Sequence, residues 1–165
     1  MQAEFVAISK TVDSSRFPVG REIDYESKVE LERLASLRHE AEQFLRGLRW
    51  TPPIAELTLA FGVAPIAALY LARFERGVEG EGNCDTEVWV MVGDLPPAYF
   101  VVDECPRPVD ALEVYCELME DWADNVTAGA DLSASYPVTV EPTIEHAHML
   151  KGRIEFIREE LIPLA

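Results

Sequence analysis

The feature that most constrains the fold is a pair of apolar segments, 87–92 and 98–102, joined by a corner at 93–97 that contains glycine and two prolines. β-Branched and aromatic residues bounded by glycine and proline are typical of strands. Neither segment alternates apolar with polar residues, and strands that are apolar on both sides usually lie in a sheet covered on both faces. The sequence therefore predicts either helices on both sides of the sheet or an oligomer interface that contains Trp89 and Met91.

Three further segments have the apolar spacing of amphipathic helices. They run from about Asp24 to Leu48, from Pro108 to about Ala128, and from Pro142 or Thr143 to Pro163. The predicted buried stripes are Leu34, Leu37, Ala41, Phe44, Leu45 and Leu48 in the first helix, Leu112, Tyr115, Cys116, Met119, Trp122, Ala123 and Val126 in the second, and Ala147, Leu150, Ile154, Ile157 and Leu161 in the third. Gly129 ends the second helix, and Gly152 weakens the middle of the third.

The segment from Ile54 to Phe74 allows two interpretations. Residues 54–61 fit a short helix or a strand, and residues 66–74 are apolar enough for either. We favour a strand for 66–74 because proline and glycine bound a short run, and the helix is kept as the alternative. Residues 77–83 predict a flexible turn, and Tyr136–Val140 is a further strand candidate.

These elements predict a single α+β domain over residues 1–165. We expect a small antiparallel sheet of three to four strands packed against three main helices, with residues 1–22 as a loosely attached N-terminal segment. A chain of 165 residues is long enough to bury a substantial core without disulfides or a structural metal.

The net charge of −16 is unevenly distributed along the chain. Residues 1–82 hold thirteen acids and ten bases, whereas residues 83–165 hold seventeen acids and four bases. Nucleic acids and anionic membranes are bound through Lys and Arg, so this distribution argues against both as partners. It is compatible with a basic protein partner, a divalent cation, or a role in solubility alone.

Six carboxylates fall on the outer side of the helix predicted from Pro108. Several of them lie three or four residues apart, so each like-charged pair destabilises the helix by a few tenths of a kcal/mol. The sequence leaves open a solvated face, a docking face for a basic protein, and metal binding. These residues are Asp110, Glu113, Glu117, Glu120, Asp121 and Asp124.

No metal or cofactor site is predicted. Residues 79–87 place oxygen side chains at alternate positions, but the pattern lacks the glycine and the final glutamate of a calcium-binding loop. His146 and His148 are two residues apart, so on a helix they project about 200° from one another and cannot share an ion.

Nucleophile motifs are absent from the sequence, and no G-x-S-x-G pattern occurs. Neighbouring acids are expected to raise the pKa of Cys105 and make it less reactive, while Cys116 falls on an apolar stripe. Three cysteines without a C-x-x-C pair favour free thiols and a cytoplasmic location. No signal peptide is visible, and no apolar run is long enough to span a membrane.

Five aromatic residues fit a packed core or, alternatively, a pocket between sheet and helix. They are Trp89, Tyr99, Phe100, Tyr115 and Trp122.

Three functional hypotheses follow. The first, which we favour, is a non-enzymatic acidic protein that docks on a basic protein in the manner of an inhibitor or immunity protein. The second is a hydrolase or metal-dependent enzyme in which carboxylates and His146 converge from separate segments. The third is a structural homo-oligomer that buries Trp89 and Met91.

Overall fold

A computed structural model describes residues 28–63, 66–80 and 83–165, with side chains for 33, 35–63, 66–75 and 87–165. The predicted N-terminal segment 1–22 and the predicted helix cap at Asp24 lie outside the described residues. The structure confirms an α+β fold, in which the described part of the chain forms one four-stranded antiparallel sheet and three α-helices.

The sheet is a meander in which each strand pairs with the next in sequence. Its order is β1-β2-β3-β4. The strands are β1 (Ile54–Val63), β2 (Ala67–Gly80), β3 (Asn83–Gly93) and β4 (Ala98–Val101). The strand interpretation of 66–74 is therefore confirmed, and the alternative helix is wrong.

Three α-helices of the described residues accompany the sheet. They are α1 (Lys28–Arg46), α2 (Pro108–Ala128) and α3 (Ile144–Phe156), and α3 continues as a π-helical turn (Ile157–Leu161) and a 3₁₀ turn (Ile162–Leu164). No helix among the described residues has both the length and the apolarity needed to cross a membrane.

The sheet separates two hydrophobic clusters, which explains why its central strands lack alternation. Trp89 and Met91 pack on one side with the buried residues of α2 and α3, whereas Val88 and Val90 pack on the other side with α1. Successive side chains of a strand point to opposite faces, so both sets must be apolar. The prediction of helices on both sides of the sheet is confirmed.

The three predicted stripes form much of this core. Leu37, Ala41 and Leu45 of α1 are buried, and Phe44 and Leu48 pack against them, while the side chain of Leu34 is not described. The stripe residues of α2 are buried except for Val126, which is partly exposed. The stripe residues of α3 and of the π-helical turn that follows it are all buried.

The corner between β3 and β4 is held by backbone as well as side-chain contacts. Gly93 has φ +141°, and a Cβ there would lie 2.8 Å from the Cα of Ala67, so only glycine fits. The amide of Asp94 donates to the carbonyl of Ile66 over 2.9 Å. The hydroxyl of Tyr115 donates to the carbonyl of Pro96 over 2.7 Å. The corner is therefore a fixed part of the fold.

The structure corrects one local prediction and decides between two alternatives at another position. Residues 77–83 were predicted as a flexible turn, but β2 extends to Gly80 and β3 begins at Asn83, with Val78 opposite Asp85 in the ladder, and residues 81–82 lie outside the described residues. Tyr136–Val140, the strand candidate in a segment that was also compatible with a loop, has no regular structure. The Tyr136 hydroxyl accepts from the amide of Tyr99 over 2.9 Å and donates to its carbonyl over 3.1 Å. A side chain thus satisfies the edge of β4 where a fifth strand could have paired.

Candidate functional site

The six acids predicted on α2 lie on its outer side, and the structure divides them into two groups. Helix α2 begins at Pro108 and ends at Ala128, and the left-handed conformation (φ +66°) of the following Gly129 terminates it. Its apolar residues face the core, so the acids between them face outward. Glu113, Glu117, Asp121 and Asp124 are exposed, and Asp110 and Glu120 are partly exposed.

Four of the six acids have a partner. Arg107 binds Asp110 through two nitrogens, with Nη2 2.8 Å from Oδ1. Arg158 of the π-helical turn reaches Glu120, with Nη1 2.6 Å from Oε2. Lys151 forms an ion pair with Asp124, and the hydroxyl of Ser135 donates a 3.0 Å hydrogen bond to Asp121.

These pairs perturb the pKa values of the groups they join. The hydrogen bonds from Arg107 lower the pKa of Asp110, and the hydrogen bond that Arg158 donates to Glu120 raises the pKa of Arg158. Both shifts favour the charged forms, so the pairs remain ionised near neutral pH. The like-charge repulsion expected from the sequence is therefore partly offset by contacts between elements.

Glu113 and Glu117 differ from the other four, because within the described residues neither forms an ion pair or a side-chain hydrogen bond, whereas Asp121 at least accepts one from Ser135. They lie one helical turn apart and are both exposed. Residues 108–165 contain twelve acids and three bases. All three bases are paired, Lys151 with Asp124, Arg153 with Asp94, and Arg158 with Glu120. The outer side of this layer therefore presents carboxylates that no cation of the layer neutralises.

A second feature is a cleft of about 660 Å³ between α3 and the β3–β4 corner, which the sequence did not reveal. Residues 94–97 form one wall, Trp122 and residues 139–140 contribute from α2 and the following loop, and α3 forms the opposite wall. The residues of α3 in the cleft are His146, Met149, Leu150, Gly152, Arg153 and Phe156.

Polar groups in the cleft come from both walls. Arg153 binds the carboxylate of Asp94 and also donates from Nε to its backbone carbonyl over 3.1 Å. His146 follows the helix cap, in which Thr143 Oγ1 accepts from the amide of His146 over 3.1 Å. Its Nδ1 lies 2.9 Å from the carbonyl oxygen of Glu141. Because a carbonyl oxygen only accepts, Nδ1 carries the hydrogen, and Nε2 of the neutral ring is an acceptor.

The acids of α2 and the cleft lie on different sides of α3. Lys151, which reaches Asp124, is two residues from both Met149 and Arg153, and residues two apart on a helix project about 200° from one another. Carboxylates of α2 and His146 are thus held on separate surfaces. Within the part of the chain that the structure describes, no three His, Cys, Asp or Glu side chains lie together as a metal site would require.

Several other sequence hypotheses fall on core residues. Trp89 and Met91 are 0% exposed within the single chain, so the residues proposed for an oligomer face are covered by the chain's own helices. Among the five aromatic residues, Trp122 alone lines the cleft, while Tyr115 and Phe100 are buried in the core. The oxygen-rich side chains of 79–86 lie outside the described side chains.

The cysteines behave as the sequence predicts for the two that are described. Cys105 and Cys116 are free and buried. Burial, with contributions from Asp110 and Glu104, raises the pKa of Cys105 to about 11, and burial raises that of Cys116 to about 11. Both are protonated at neutral pH, which makes them poor nucleophiles.

The fold and these two surfaces define an α+β protein with helices on both faces of its sheet, an acidic outer helix and an open cleft. No protein-family model matches the chain, and neither a curated protein nor a solved structure shows significant similarity to it.

Proposed function

We propose that this chain is a non-enzymatic, acidic binding protein that docks on a basic protein through the outer surface of α2, centred on Glu113 and Glu117. The observation behind the proposal is that every cation of residues 108–165 forms an ion pair within the chain, while these two exposed carboxylates form no direct ion pair among the described residues. An inhibitor or immunity protein of a basic enzyme acts in this way.

Charge of this kind governs the rate and the salt dependence of association. A surface of one sign attracts an oppositely charged partner and raises association rates by roughly 10- to 1000-fold at low ionic strength. At 0.15 M salt the screening length is about 8 Å, so the attraction weakens steeply as salt is added. The partner should therefore be retained at low salt and released at high salt.

The proposed location is the cytoplasm. Two buried thiols that form no disulfide are compatible with a reducing compartment. The proposal does not involve nucleic acid or a membrane, because neither binds a surface composed of unpaired carboxylates.

The test is affinity capture with a matched pair of variants. The purified chain is immobilised, exposed to native lysate at low salt and eluted with high salt, and the captured proteins are identified. The Glu113→Lys/Glu117→Lys variant should lose the basic protein that the wild type captures. The Glu40→Lys/Glu75→Lys variant makes the same change of net charge at exposed residues of α1 and β2, and it should keep that protein.

A captured candidate is then purified and titrated against the three chains at two salt concentrations. The proposal fails if no basic protein is retained at low salt. It also fails if both double variants lose binding to the same extent, since the attraction would then depend on net charge and not on the α2 surface.

A further inference from the structure

Gly152 occupies a position where the fold does not require glycine. It lies inside α3, which runs from Ile144 to Phe156 and continues as a π-helical turn, and its φ is not positive. A Cβ built on it would meet no atom within 4 Å. Glycine within a helix costs roughly 0.5–1 kcal/mol relative to alanine. Neither backbone conformation nor close packing explains that cost, but Gly152 lines the cleft, and the missing side chain leaves space there.

The walls on either side of this space are apolar. Leu95, Pro96 and Pro97 lie on the corner side, and Leu150 and Phe156 lie on α3. Met149 projects at the mouth and is 69% exposed. It falls outside the buried stripe of α3, so the core does not require it. An exposed methionine beside an apolar cleft is typical of adaptable binding surfaces.

The polar groups of the cleft favour a ligand that donates hydrogen bonds. With Nδ1 donating to the Glu141 carbonyl, Nε2 is the acceptor of the neutral form of His146. Asp94 adds its carboxylate oxygen Oδ1, beside the Oδ2 that Arg153 binds, and its side chain is 68% exposed. The one cationic side chain in the lining, Arg153, is already paired with that carboxylate. Residues 108–165 carry nine more acids than bases, and the resulting negative potential disfavours an anionic ligand.

We infer that the cleft is a binding site for a small amphipathic amine, with an aromatic or cycloalkyl body between the apolar walls and a protonated amine toward Asp94 and His146. A volume of about 660 Å³ is in the usual range for small-molecule sites. This inference does not depend on the proposed docking of α2, because the two surfaces lie on different sides of α3.

The test uses ligands that share a body and differ in the head group. Phenethylamine, 2-phenylethanol and 3-phenylpropanoate, with the corresponding cyclohexyl and naphthyl series, are titrated into the ¹⁵N-labelled full chain and followed by amide chemical shifts. We expect saturable shifts around 94–97 and 146–156. The amines should bind at least about tenfold more tightly than the carboxylates, because the head group changes charge.

Two variants test whether the ligands bind in the cleft. Gly152→Phe places a ring in the open space and should weaken every ligand by about tenfold or more. Met149→Lys, at an exposed position, should weaken the amines selectively through like-charge repulsion while leaving the alcohols less affected. The Glu113→Lys/Glu117→Lys variant should bind the amines within about twofold of the wild type, which separates this site from the docking surface.

The inference is overturned if no ligand of the three series causes saturable shifts in the cleft at millimolar concentration. It is equally overturned if the carboxylates bind as tightly as the amines, or if Gly152→Phe and Met149→Lys both leave the affinities unchanged. Loss of protein capture in the α2 variant with intact amine binding would support both proposals separately.

Discussion

Replacing Gly152 by alanine should stabilise the protein, which is unusual for a substitution beside a candidate binding site. The residue has ordinary helical geometry inside α3, and its new Cβ would meet no atom within 4 Å. The change therefore adds no clash and removes the excess conformational freedom of glycine in the unfolded chain. The full helix-propensity difference should appear, about 0.5–1 kcal/mol in the free energy of unfolding.

Gly129 provides the matched control. A Cβ there would also meet nothing within 4 Å, but the residue has φ +66° at the end of α2. Alanine in the left-handed region costs about 1–2 kcal/mol, so Gly129→Ala should destabilise by about 1 kcal/mol. Two substitutions in equally open space should thus change stability in opposite directions, and backbone conformation alone accounts for the difference.

Urea denaturation followed by tryptophan fluorescence measures both changes. Gly152→Ala should raise the unfolding midpoint without changing the slope, and it should raise the melting temperature by about 1–4 °C for a domain of this size. A neutral or destabilising result would show that glycine has a structural role at this position. The reasoning that it keeps the cleft open would then be refuted.

Two further predictions concern the core. Trp89→Phe removes the 2.6 Å hydrogen bond from the indole nitrogen to the buried carbonyl of Cys105 and leaves a smaller ring, so urea denaturation should show a loss of roughly 2–4 kcal/mol. Burial raises the pKa of Cys116 from 9.0 to about 11. Between these pH values the unfolded chain releases the thiol proton and the folded chain keeps it, so stability is intact below pH 9 and falls as pH rises, by up to about 1.4 kcal/mol per pH unit. Denaturation under reducing conditions from pH 8 to 10.5 should show a shallower decline in Cys116→Ala than in the wild type, and equal slopes would contradict the assignment.

Local signals in the sequence were sufficient where they agreed with tertiary packing. Helix α2 has the predicted bounds because Pro108 suits the first turn and Gly129 suits the left-handed end. The strand 87–92 is apolar on both faces, so helices were expected to pack on both sides of it, and α1 packs on the second side. These features could be predicted because each depends on residues that are close in sequence.

Features that depend on distant residues could not be predicted. The sequence left strand and loop open at Tyr136–Val140, and the contact that holds this segment joins the Tyr136 hydroxyl to Tyr99, 37 residues away. The cleft combines the β3–β4 corner, α2, the 139–140 loop and α3, so no local pattern contains it. Its signals in the sequence were Gly152 within a helical pattern and Met149 outside the buried stripe, and neither is specific alone.

The helix dipole disfavours the acids in the C-terminal half of α2 most. Carboxylates near the C-terminal end of a helix are unfavourable, and those in the first turn are favourable. In the C-terminal half, Glu120 forms an ion pair with Arg158, and Asp124 forms one with Lys151. Glu113 and Glu117 lie beyond the first turn of α2, whose one acid is Asp110, so the dipole stabilises neither of them appreciably. Because neither a direct ion pair nor the dipole accounts for these two carboxylates, they are the positions at which a partner's cation would gain most, and the docking proposal is tested most directly there.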